Sequence, residues 1–278
     1  MKTIVLATDF SASAENAMIY AGQLANDIGA SVLLLHVYQV PVGMNDMPLL
    51  MVSTDELKNN ADNGLRRAQD LLQKHFSSLD IQIESRLGDV IDELKDICKK
   101  IDPLLIVVGK HNASGVQQIL FGSTSLSIIR NIDYPVIAVP NRSNKFQFQN
   151  AALAIDADVE NVCVKKIKSL TNELKTQLHI FHVKQEKSAS LQVNNLTSEL
   201  NSRYSTIYDH EFVHGIESYI QENNIDLLII LPHKHKLMER LFLKTHTKEL
   251  LRKIPIPIMC ICNNWNRWTS DEVLDKRL

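Results

Sequence analysis

The chain has only nine glycines in 278 residues, yet three of them fall in "VVGKHNASGVQQILFGSTSLSIIR", Val107 to Arg130. Gly109 ends an apolar run, and a position without a side chain lets a ligand come close to the backbone. Asn112 is among the few residue types besides glycine that tolerate positive φ. Gly122 stands just before Ser123 and Thr124, where a helical pattern begins. Free N–H groups at a helix start, together with hydroxyls, make a phosphate cradle. These residues therefore suit a loop wrapped over a polyphosphate. The stretch is not a Walker loop, because no Gly-Lys-Ser/Thr closes it, and G-x-G-x-x-G is absent. The plainer alternative is a strand-to-helix connection whose glycines only serve turns.

Two further positions could take part. Asp9 follows the first apolar run, where a carboxylate can meet a ligand or cap the next helix; "DFSAS" offers several caps. His36 ends the second apolar run and reads as a hydrogen-bonded strand-end residue rather than a catalyst.

The elements that would position these residues alternate regularly. "TIVLAT" (Thr3–Thr8) is a buried strand by composition. A helix follows with Ala17, Ala21, Leu24 and Ile28 at helical spacing, and Gly29 sits at its C-cap. "SVLLLHVY" is a second strand, and a loop runs from about Val40 to Thr54. Ser53 or Thr54 caps a long helix to about His75. "IQIESR" is a third strand, and Gly88-Asp89 opens a helix ending near Lys100. "PLLIVVG", the glycine-bearing loop with its helix, and "YPVIAVP" complete the series. Strands apolar on both faces and separated by helices imply a parallel sheet covered on both sides. Right-handed crossovers make it doubly wound, with ligands at the carboxyl ends of the strands.

The second half repeats the first. "AALAID" echoes "IVLATD", placing Asp156 where Asp9 stands, and His182-Val183 matches His36-Val37. "NNIDLLIIL" echoes "KKIDPLLIVV", and "LLRKIPIPIMCICN" echoes "IIRNIDYPVIAVPN". The polar stretch Asn141–Gln149 divides the copies. The expected domains are 1–142, 149–264 and a tail, 265–278.

The first half resembles the universal stress proteins of the UspA superfamily, and the second half does so more weakly. The nucleotide-binding branch carries G-x2-G-x9-G-[ST], and here the spacing reads Gly109-x2-Asn112-x9-Gly122-Ser123. Asp9-Phe10-Ser11, His36-Val37 and "PVIAVP" also fit. The resemblance implies two doubly wound five-stranded parallel sheets in tandem, of the adenine nucleotide alpha hydrolase-like kind, strand order 3-2-1-4-5. It implies ATP, ADP or AMP as ligand, with Mg2+ as a companion ion. By carry-over, Ala7, Thr8, Asp9 and Val37 border the adenine and ribose, and Val108-Gly109 passes backbone groups to the ribose or base. Asn112, Gly122, Ser123 and Thr124 hold the phosphates. Asn112 departs from the family's glycine, and weakened rather than abolished binding is expected.

The matching loop of the second half has Pro232 for Gly109, Lys244 for Gly122 and Thr245 for Ser123, and no glycine. Proline removes a backbone donor, so no nucleotide site of the family's kind is expected there. That half is expected to serve as a built-in dimer partner, with an intramolecular pseudo-dimer or a homodimer as the assembly. The basic loop His233–Lys236 and the tail bearing Trp265 and Trp268 are either solvated and docked segments or partner contacts.

The net charge of −2 leaves no electrostatic footprint for nucleic acid, and no apolar run is long enough to span a membrane. Four scattered cysteines do not form a disulfide framework, and "MKTIVLATDF" lacks a signal peptide's apolar core. A cytoplasmic location is expected. No arginine precedes Arg130 in the loop, and no hydrolytic constellation is recognisable. The expected role is a nucleotide-binding stress regulator with at most slow ATPase activity and no metal site of its own. The alternatives are a scaffold member that binds no nucleotide and a slow ATP hydrolase.

Overall fold

The computed structural model describes residues 2–40, 53–110, 123–141, 148–155, 161–184, 203–231 and 254–261. These fall into two compact units. The loop residues Asn112 and Gly122, Asp156, the His233–Lys236 loop and the tryptophan tail lie outside the described residues.

The first unit runs β1 (Thr3–Ala7), α1 (Ala12–Ile28), β2 (Ser31–Tyr38), α2 (Thr54–His75), β3 (Ile81–Leu87), α3 (Val90–Ile101), β4 (Leu105–Gly109), α4 (Ser123–Asn131) and β5 (Val136–Val139). Its strands lie in the order β3-β2-β1-β4-β5, all parallel. Ile4, Val5 and Leu6 of β1 are fully buried, as are Leu105, Ile106 and Val107 of β4. Helices on both faces leave no solvent side, so these strands are apolar throughout rather than alternating.

The edge strand β3 is only half-buried and is held by polar groups. Ser85 donates to Asp62 of α2 at 2.5 Å. Arg86 bridges Glu84, Glu93 and Asp96 at 2.8, 3.1 and 2.6 Å.

The helix ends follow local chemistry. Gly29 closes α1 at φ 71°, its N–H donating to the Ala25 carbonyl, because only a left-handed residue can turn the chain there. Ser53 caps α2, accepting from the Glu56 N–H. Asp89 caps α3, accepting from the Ile91 and Asp92 N–H groups.

The second unit contains β6 (Asn150–Ala154), α5 (Asn161–Glu173), β7 (Gln177–Lys184), β8 (Arg203–Tyr208), α6 (Phe212–Glu222), β9 (Leu227–Ile230) and β10 (Ile258–Cys260). Its order, β8-β7-β6-β9-β10, again all parallel, is the 3-2-1-4-5 arrangement over again. Among the described residues, no helix is long and apolar enough to cross a membrane.

Candidate functional site

In the first unit β1 is central, with β2 on one side and β4 on the other. The chain changes direction at this point, so a crevice opens beyond the carboxyl ends of the strands. Ala7 is level with Leu35 of β2 and with Val108 of β4. Just past that row, the Thr8 N–H donates to the Leu35 carbonyl at 2.9 Å. His36 Nδ1 donates to the Thr8 carbonyl at 2.8 Å, which requires the ring proton on Nδ1. His36 is thus a hydrogen-bonded strand-end residue, and it clasps the ends of β1 and β2 together.

The β1–α1 connection is unusual at Phe10, whose φ is 61°. An aromatic residue in the left-handed region costs about 1–2 kcal/mol, so its surroundings must hold it there. Its N–H donates to Thr8 Oγ1 at 3.1 Å. Its ring lies 4.3 Å from the His36 ring, centroid to centroid. The same ring fills the space over Gly64 of α2, where a Cβ would stand 2.6 Å from Phe10 Cζ.

Asp9 is exposed, and its Oδ1 accepts the Ser11 N–H at 3.0 Å. The cap of α1 is Ser11, whose Oγ accepts from the Ala14 N–H at 3.3 Å and lies 2.9 Å from Ser13 Oγ. The capping role open to Asp9 in the sequence therefore belongs to Ser11. Asp9 instead closes a one-turn loop onto that cap.

Gly109 has a physical reason other than ligand access for lacking a side chain. A Cβ there would stand 2.6 Å from the Ser13 carbonyl oxygen and 2.9 Å from the Ala14 nitrogen. The first turn of α1 occupies that space and packs directly on the end of β4. Ser125 Oγ donates to the Gly109 carbonyl at 2.9 Å, tying the start of α4 to the same strand end. The next side chain, Lys110, is fully buried.

These elements enclose a cleft of about 350 Å3. Ala7, Thr8, Asp9, Val37, Val108 and Gly109 line it, and Ser123 and Thr124 of α4 face them. Every expected site residue within the described chain is thus brought to one cavity. Val37, Val90, Ser123 and Thr124 also border an adjoining recess of about 400 Å3 that reaches Gln39, Asp89 and Ser127.

Ser11, Ser13, Ser125 and Val90 line the main cleft as well, and the sequence reading passed over them. Val90 had a signal in Gly88-Asp89, a helix start directly after a strand. Ser13 and Ser125 had none, since only the packing of helices on β4 brings them there.

Among the described lining residues the charged groups are Asp9 and Asp89. An anion here would be met by hydroxyls and by the N–H groups of the first turn of α4, which have no partner within the helix.

The second unit repeats the strand-end framework. The Ile155 N–H donates to the Phe181 carbonyl at 2.9 Å, and His182 Nδ1 donates to the Ile155 carbonyl at 2.8 Å. His179 points to the other face, edge-on to Tyr219 of α6 at 6.5 Å, so the two histidines share no site. Burial, with help from Arg203, pushes the His179 pKa below the ordinary imidazole value. At the start of α6, His214 pairs with Asp209 at 2.7 Å. Each partner shifts the other, raising the histidine's pKa and lowering the carboxylate's.

Comparison with known proteins agrees with this framework. The universal stress protein family matches residues 1–140 and again 150–261. A universal stress protein from Synechocystis, Slr1230, is 24% identical over 93% of this chain and 99% of its own length. The crystal structure of a universal stress protein from Archaeoglobus fulgidus superposes with a TM-score of 0.73 at 16% identity, covering 94% of this chain and 98% of that one. A universal stress protein solved in complex with cAMP covers 50% of this chain and 97% of its own, at 25% identity and a TM-score of 0.38.

Proposed function

The chain belongs to the universal stress protein family, and on that footing we propose that its first half binds an adenine nucleotide, ATP, ADP or AMP, as a regulatory ligand. The observation that carries this reading is the convergence of Asp9, Val37, Val108, Gly109, Ser123 and Thr124 on one cleft. The cleft and its adjoining recess, about 350 and 400 Å3, fall in the size range of small-molecule sites, about 300–1,000 Å3. In this reading Ala7, Thr8, Asp9 and Val37 flank the base and ribose. The phosphates lie at the start of α4, against Ser123 and Thr124, with the loop residues Asn112 and Gly122 completing the cradle. The carboxylates of Asp9 and Asp89 and the lack of a cation among the described lining residues favour a ligand whose phosphates bring Mg2+ with them.

The strand register puts Leu231, not the expected Pro232, at the counterpart of Gly109, since Ile230 pairs with Ala154 as Val108 pairs with Ala7, and Lys244 stands for Gly122. One nucleotide per chain is therefore the expected stoichiometry. Calorimetric titration of the full chain with ATP, ADP, AMP and cAMP, with and without Mg2+, tests this. Gly122→Val and Thr124→Val serve as variants. Saturable binding near one per chain, weakened in both variants, supports the reading. No heat at millimolar nucleotide would favour a scaffold member of the family, with Asn112, which replaces the family's glycine, marking the loss.

A further inference from the structure

We propose that Phe10 is the positioning residue of this site: its ring, wedged between His36 and Gly64, holds the Asp9 carboxylate at the cleft. The proposal rests on the nucleotide reading above only for its binding readout.

Phe10 is not among the residues lining either cavity, so it would not touch the ligand. The turn is hydrogen-bonded on both sides of Asp9. The Phe10 N–H reaches back to Thr8 Oγ1, and the Thr8 carbonyl is held by His36, the same ring that Phe10 packs against at 4.3 Å. On the far side Asp9 Oδ1 accepts the Ser11 N–H, and Ser11 is anchored as the cap of α1.

Asp9 thus sits at the apex of a tight turn whose left-handed residue is Phe10, at φ 61°. Nothing in the backbone prefers a bulky residue there. The compensation is the ring's slot, and that slot exists because residue 64 on α2 has no side chain. Phe10 remains 40% exposed, so burial alone does not account for an aromatic at this point. Holding the turn does.

Two substitutions separate the ring from the backbone. Phe10→Asn keeps a residue that tolerates the left-handed region and deletes the ring. Gly64→Ala keeps Phe10 and fills its slot, at a helix position where alanine is the better helix former. Both proteins should fold.

The first readout needs no ligand: the backbone amide resonance of Ser11, which reports its bond to Asp9, and its exchange rate. Both variants should shift the resonance and speed exchange, and Gly64→Ala should add nothing in the Phe10→Asn background. The second readout is nucleotide affinity in a cycle with Asp9→Ala. Each single variant should lose about tenfold, and the double variant also about tenfold rather than a hundredfold, because coupled residues do not add.

An unchanged Ser11 amide in both variants overturns the proposal, as do losses that multiply in the cycle. If the unmodified chain binds no nucleotide, the functional reading fails, and the Ser11 amide still decides whether Phe10 holds Asp9.

Discussion

Gly109 and Ser13 meet backbone to backbone: a Cβ on Gly109 would stand 2.6 Å from the Ser13 carbonyl oxygen. Neither partner can step aside without moving β4 or the first turn of α1. Gly109→Ala is expected to cost about 3 kcal/mol, the upper end for overpacking, because rigid backbone rather than a side-chain tip is in the way. Urea denaturation would measure it. Loss of nucleotide binding in that variant would report misplaced α1 as much as a missing ligand contact.

Ser11 and Asp9 divide two jobs that their neighbouring positions conceal. Ser11→Ala should lower stability by about 1 kcal/mol, the ordinary worth of an N-cap. Asp9→Asn keeps the oxygen that accepts the Ser11 N–H and should change stability by less than about 0.5 kcal/mol. Thermal denaturation of the two variants checks the order. If Asp9→Asn proves the more destabilising, the cap assignment is wrong.

Arg86 is the hub of the β3 edge, its side chain 18% exposed and contacting three carboxylates. Replacing it with methionine should cost about 1 kcal/mol, more than an isolated surface pair, because a network is lost. The partners should rank by shielding rather than by distance. Glu93, 26% exposed at 3.1 Å, should matter more than Asp96, 64% exposed at 2.6 Å. Glu93→Gln and Asp96→Asn, compared in low and in 1 M salt, would test this. Screening should erase the Asp96 effect first.

His179 and His214 should titrate on opposite sides of the ordinary imidazole value of 6.5. His179 is buried and favours its neutral form. Its contribution to stability is therefore present above the unfolded pKa and is lost as pH falls toward the depressed folded value. His214 gains from Asp209 when protonated, so its contribution is full below the unfolded pKa and is lost as pH rises through the raised folded value. The Asp209 carboxylate, shifted down, adds stability above its unfolded pKa, lost as pH falls through the folded one. Imidazole resonances followed by NMR from pH 4 to 9 should show His214 titrating last of the two; the reverse order would contradict both environments. His214 lies at the surface, so its effect on overall stability should be small.

Much of this was legible in the sequence because it is written in periodicity and local chemistry. Short β-branched runs spaced by helical patterns predicted a doubly wound parallel sheet, the internal repeat predicted a second, and the family resemblance implied the 3-2-1-4-5 order found in both. Gly29, after a helical spacing, and the Ser53-Thr54 pair marked two helix ends, and the structure gives the second cap to Ser53. The His36-Val37 and His182-Val183 echoes marked equivalent strand ends, and both histidines make the same bond. What stayed hidden depends on how separate elements approach. Nothing local to Gly109 reveals that α1 fills its missing side chain, and nothing near Phe10 reveals that Gly64, more than fifty positions away, receives its ring. Asp9 and Ser11 are both good caps by type, and only the left-handed turn at Phe10 decides between them.

The paired histidine clasps carry a further consequence. A duplicated gene frees one copy from whatever the other still does, while both copies must go on folding. In this chain the clasp is present in both halves, whereas the glycine at the end of β4 has Leu231 at its counterpart, since Ile230 pairs with Ala154 as Val108 pairs with Ala7. What both copies share is what the sheet demands, and the places where they differ are where any division of labour between them should be sought.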